Sequence, residues 1–281
     1  MKESFQSINF DLDNLPAMPT VAAQMMELVN DPNVSARAIT KVITKDPSVA
    51  ARVLKIANSS FYSMTRQVTS LPTAIVLLGE TTLRNLVLAT SLKGINLTFG
   101  SLEKMLWQDS IVCALASRYL SCKLAIADPE EAFIAGLFRN IGLIVLNNQK
   151  GIPAEFIFRT LQSSRNNMAK QEREIFGATH AEIGAAVLES WKLSDTLCLV
   201  TLHHSDVQFE QEPNANVINL TSIVNIADQL PGYFGVFGRP IELNLQNLSG
   251  PQRLNLDLEQ LSELIEGFRV IFEENRKDFL A

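Results

Sequence analysis

What most limits how this chain can fold is the spacing of its apolar side chains, which return every three or four residues along most of its length. In TVAAQMMELVNDP, residues Val21, Met25, Leu28 and Val29 fall on one helical face, with Thr20 as a candidate N-cap and Asp31-Pro32 ending the run. SARAITKVITKD repeats the spacing with Ala38, Ile39, Val42 and Ile43 behind a capping Ser35. DPSVAARVLKIANSS opens with an aspartate cap and a proline in the first helical turn, where a missing N–H costs nothing. No series of segments alternates apolar and polar residues with the period of two that a sheet needs. The expected fold class is all-α.

Further along, LPTAIVLLG and ETTLRNLVLATSLKG read as two helices broken at Gly79. The Gly94–Gly100 region is the expected boundary, giving an N-terminal helical bundle over 1–98 and a second bundle over 99–281. Two long apolar helices are expected next, in LEKMLWQDSIVCALASRYLSCKLAI and DPEEAFIAGLFRNIGLIVLNNQ. Shorter ones should follow at about 153–164, 168–176, 179–191 and 194–204. GYFGVFGRPIELNLQNLSGP reads as loop, and the last residues as acidic amphipathic helices. Trp107 and Trp191 lie in apolar stripes and read as core anchors.

Cys113, Cys122 and Cys198 show neither an even count nor a CxxC pair, which suits a reducing compartment. MKESFQSINFDLDN carries acidic residues where a signal peptide needs an unbroken apolar run, and no apolar stretch approaches a membrane span. A cytoplasmic protein with no membrane partner is expected. The net charge of −6 argues against general nucleic-acid binding. One window departs from that balance: between Ser35 and Ser70, Arg37, Lys41, Lys45, Arg52, Lys55 and Arg66 face the single acid Asp46. ITKDPSVAARVLKIAN inside it has the spacing of a helix-turn-helix, but its second helix is too apolar to leave many positions for reading bases. The window is expected to be a solvated or docking face.

All three histidines, His180, His203 and His204, fall within one 25-residue window, and Asp228 follows in VNIADQL. These four residues form a candidate ligand set for a metal. Adjacent residues on a helix are turned by about 100°, so His203 and His204 cannot both aim at one ion.

The segments LPAMPTVAAQMMELVNDP, LPTAIVLLGETTLRNLVLA, LWQDS, EEAFIAGLFRNIGLIVL, FGATHAEIGAAVLESWKLSD and LHHSD, in that order over roughly residues 13–230, resemble the HDOD family, bacterial output modules related to HD-domain metal phosphohydrolases. The resemblance implies an all-helical N-terminal bundle followed by an HD-like bundle that serves signalling and regulation. It also implies what has changed. The active HD enzymes carry a His-Asp metal dyad after a GLLH-like helix, and the matching residues here are Arg139 and Asn140; an upstream ligand histidine of those enzymes would fall at or near Asp109. Arginine has no lone pair to coordinate with, and asparagine offers a neutral oxygen in place of an anion. A guanidinium about 5 Å from a divalent ion repels it by about 7 kcal/mol at an effective dielectric of about 20.

The sequence therefore predicts a non-catalytic regulatory module with a degenerate metal site. No cofactor, or at most one divalent ion on His180, His203, His204 and Asp228, is expected. The expected partner is a signalling protein or a small anionic ligand received by Arg139 in a pocket that includes Asp109 and Asn140. Two other readings stay open at this point: a residual metal-dependent phosphohydrolase acting on a nucleotide or cyclic dinucleotide, and a nucleic-acid-associated regulator using the 35–70 basic face.

Overall fold

The structure is a computed structural model that describes residues 15–29, 36–62, 67–95, 100–149, 151–162, 166–243 and 245–280. Every regular element among them is helical, as the apolar spacing requires. The described residues form two compact units, one of those between 18 and 95 with 264–280, the other of those between 100 and 263 with 15–17. The sequence division kept 264–281 with the second bundle; the contacts group them with the N-terminal helices.

The first unit contains α1 (Thr20–Val29), α2 (Ala36–Ile43), α3 (Pro47–Ala57), α4 (Leu71–Leu78), α5 (Glu80–Ser91) and the latter part of α16 (Leu258–Phe279). Asp46 caps α3 by accepting from the Ser48 and Val49 amides, and Ser70 caps α4 by accepting from Thr73. Thr20, the expected cap of α1, is instead its first helical residue, and Ser35 lies outside the described residues. Gly79 separates α4 from α5 at φ +84°, a backbone conformation that favours glycine. Met25, Ile43, Val53, Leu83, Leu86, Phe268 and Phe272 are buried in this unit.

The second unit is built on α6 (Ser101–Leu124), which packs along α7 (Pro129–Phe138) and α13 (Ala215–Ala227). Around them lie α8 (Ile141–Asn147), α9 (Ala154–Gln162), α10 (Asn166–Phe176), α11 (His180–Ser190) and α12 (Asp195–His203). Two expectations need correction. The segment expected to form one long helix after Asp128 is two, α7 and α8; Arg139 keeps helical dihedrals and the backbone leaves the helix at Asn140, at φ −104° and ψ 18°. The stretch expected as loop, Gly232 to Pro251, overlaps α14 (Leu230–Tyr233) at its start and α15 (Ser249–Arg253) at its end, with Phe234, Val236 and Phe237 buried between them. Trp107 is buried as expected, whereas Trp191 is half-buried just past α11, where its indole N–H donates to the Pro16 carbonyl at 2.8 Å. Close helix approach is set by glycine: a β-carbon on Gly136 of α7 would lie 2.9 Å from the Cys113 carbonyl of α6. Among the described residues no helix is long and apolar enough to cross a membrane.

Candidate functional site

Three helices of the second unit bring Asp109, Arg139 and Asp228 together from positions far apart in sequence. Asp109 lies mid-way along α6, Arg139 caps the C-terminus of α7 and Asp228 caps that of α13. Arg139 is the bulkiest fully buried side chain among the described residues. Its Nη2 donates to both carboxylate oxygens of Asp109 at 2.8 Å, and its Nε donates to Asp228 Oδ1. Nη1 reaches the backbone carbonyls of Gly136 at 3.2 Å and Asp109 at 3.5 Å. All five guanidinium N–H groups thus have an acceptor. Asn140 joins the group by donating from Nδ2 to Asp109 Oδ2 at 2.9 Å.

The electrostatics follow from burial. Enclosure alone disfavours the arginine's charge, but the carboxylates of Asp109 and Asp228 outweigh it and hold its pKa above the ordinary value. The same enclosure pushes the nearby Cys113 thiol up to about 12, so it stays protonated. The guanidinium has no unused edge and no solvent access, which corrects the expectation that Arg139 receives an anion. Its cation is already neutralised from within the chain.

The histidines divide into two environments. His180 opens α11 because Thr179 and Glu182 form a capping box: the Glu182 amide donates to Thr179 Oγ1 at 3.2 Å and the Thr179 amide donates to Glu182 Oε2 at 2.8 Å. The buried carboxylate of Glu172, on α10, meets His180 Nδ1 at 2.8 Å and also accepts from the His180 amide at 3.0 Å. His180 Nε2 is buried without a partner in the chain. His204 stands beside it, ring centroids 5.4 Å apart, with Nδ1 donating to the Thr201 carbonyl at 2.7 Å. His203 packs against Phe209 instead, ring centroids 4.5 Å apart and planes tilted by 51°. Burial lowers its pKa, against a backbone hydrogen bond at Gln208 and the pull of Asp206 and Glu210.

The four candidate metal ligands are therefore not brought together. Asp228 is bound to Arg139 and His203 faces Phe209, and among the described residues no three His, Cys, Asp or Glu side chains are grouped to hold an ion. The residues present do not fit the metal centre of the HD enzymes. Sequence reasoning missed Glu172 and Phe209, whose roles depend on a fold-back at Gly177, at φ +79°, and on the exit from α12. Of the basic window, Arg37 and Lys41 are exposed on α2, Arg52 is half-buried on α3, and Arg66 lies outside the described residues. Lys45 donates to Gln24 Oε1 at 2.8 Å and Lys55 pairs with Asp278 at 3.7 Å.

A model of the HDOD domain matches residues 15–207, more than half of the chain. The chain belongs to the HDOD domain family. It is similar to a crystal structure of an HDOD domain protein from Geobacter sulfurreducens, at 21% identity and a TM-score of 0.71, over 95% of this chain and 92% of that one. A Shewanella amazonensis structure whose name proposes a phosphohydrolase matches at 25% identity and a TM-score of 0.70, over 95% and 96%. An uncharacterized protein of Treponema pallidum is 25% identical over 227 residues, 78% of this chain; the chain spans 43% of that relative's length.

Proposed function

We propose that this chain is a non-catalytic regulatory module of a bacterial signalling system that acts by binding a protein partner or a small ligand. The observation that carries this reading is Arg139 enclosed between Asp109 and Asp228. A hydrolase of the HD type needs a divalent ion there to polarise phosphate and to generate hydroxide. Here the carboxylates are saturated by a cation that can do neither. The phosphohydrolase reading would require Arg139 to leave a fully buried, fivefold hydrogen-bonded position. A nucleic-acid role has only the basic window behind it, within a chain of net charge −6.

Elemental analysis of the purified protein, with a phosphodiesterase assay on bis-(p-nitrophenyl) phosphate and a cyclic dinucleotide, tests the proposal. Fewer than one metal per chain and no turnover are expected. Two metals per chain, or turnover abolished by a chelator, would refute it. Arg139→His with Asn140→Asp, with or without Asp109→His, would raise the metal content only if His180, His203, His204 and Asp228 converged on the vacated position; with His203 packed against Phe209, no gain is expected. Duplex-DNA binding tighter than about micromolar at physiological salt would favour the nucleic-acid reading instead.

A further inference from the structure

Beside His180 the second unit carries a cleft of about 890 Å³, within the size range of small-molecule sites. It is lined by Glu172, His180, His203, Asp206, Phe209 and Glu210, among others. Three features define what it suits. The first is the unpartnered His180 Nε2. In the neutral imidazole, Nδ1–H donates to Glu172, which leaves Nε2 as an acceptor. A buried acceptor without a donor costs about 1–3 kcal/mol, which a donor from a ligand would recover.

The second feature is charge. Glu172, Glu182, Asp206 and Glu210 line the cleft against one base, Arg173. Arg173 is bound to Glu182 at 2.7 Å and Glu172 is engaged by His180, which leaves Asp206 and Glu210 outside those pairs. The third is the aromatic wall of His203 and Phe209, inclined at 51° to one another. From these features we infer that the cleft receives a small planar cation bearing N–H donors, an amidine, guanidine or protonated heteroaromatic amine. His180 Nε2 is its buried acceptor, the Phe209 ring, tilted against His203, its aromatic wall, and Asp206 and Glu210 its counter-charges. The ligand is opposite in charge to the anion suggested by the sequence. This inference rests on the regulatory reading, since it supplies the small ligand of that module.

Benzamidine is the probe, titrated into the full chain with ¹⁵N-labelled histidine imidazoles and followed by NMR. Saturable one-site binding with a shift of the His180 Nε2 signal is expected, and the isosteric anion benzoate should not compete. His180→Gln should weaken binding about tenfold, the scale of one buried hydrogen bond. If that variant fails to fold, Phe209→Ala and Glu210→Gln, at accessible positions, should each weaken it about threefold. Benzoate binding as tight as benzamidine, unchanged affinity in all folded variants, or Zn²⁺ saturating His180 and His204 at one ion per chain would each overturn the inference. Phosphodiesterase turnover together with benzamidine binding would remove the regulatory reading and leave the cleft. No turnover and no binding would remove the cleft alone.

Discussion

Gly142, in the first turn of α8, lies so close to the carbonyl of His180 that a β-carbon there would overlap it. The first turn of α11 can approach α8 only across a residue without a side chain, so the position of His180 depends on a glycine 38 residues upstream. Gly142→Ala should destabilise the protein by about 1–3 kcal/mol, the usual cost of overpacking. It should also shift the His180 imidazole signals, because α11 must move away from α8. Chemical denaturation and NMR read the two effects separately.

Arg139→Met should cost about 3–5 kcal/mol, since it leaves Asp109 and Asp228 buried without their shared cation. Replacing all three residues by apolar side chains of similar volume should recover most of that loss. Urea denaturation of the single and triple variants measures both. A single variant within about 0.5 kcal/mol of the parent would mean that the carboxylates find other partners.

The Cys113 thiol, raised from 9.0 to about 12 by burial, makes stability depend on alkaline pH. In the unfolded chain the thiol begins to ionise near pH 9, while the folded protein holds its proton, so ionisation favours unfolding. The contribution is whole below that pH and is lost as pH rises toward 12, by up to about 1.4 kcal/mol per unit. The unfolding free energy of the parent should fall more steeply over this range than that of Cys113→Ala. At pH 8, iodoacetamide should label the exposed Cys122 well before Cys113, as mass spectrometry would show.

His203 should titrate below 6.5, because burial opposes its charge more than a backbone hydrogen bond at Gln208 and the charges of Asp206 and Glu210 support it. The unfolded chain then takes up this proton first as pH falls below about 6.5, so the stability associated with neutral His203 declines toward acid. Phe209→Ala exposes the ring and should raise its pKa, whereas Glu210→Gln should lower it further. An NMR titration of the imidazole in the three proteins tests both directions.

Most of the fold is legible in the sequence because the signals that set it are local. Asp46 announces its helix, and Gly79 announces the break between α4 and α5. The interruption between α7 and α8 is not legible, because the apolar pattern runs through FIAGLFRNIGLIVL without a gap. It falls at Asn140, whose side chain donates to Asp109, 31 residues away. The site divides in the same way. Asp109, Arg139, Asn140 and Asp228 are marked by motif order, and the structure places them in one cluster. His203 and His204 diverge as their adjacency on α12 dictates, while Glu172 carries no motif and acquires its role when α10 folds back onto α11.

The enclosure of Arg139 has a consequence for how such a module behaves in a living cell. A centre filled by a divalent ion is only as complete as the local supply of that ion, and competing metals or chelators can exchange or strip it. Between Asp109 and Asp228 the positive charge is attached to the backbone and arrives with every copy translated. It cannot be starved out, mis-metallated or oxidised away, and the helices it ties together hold their arrangement through swings in metal homeostasis.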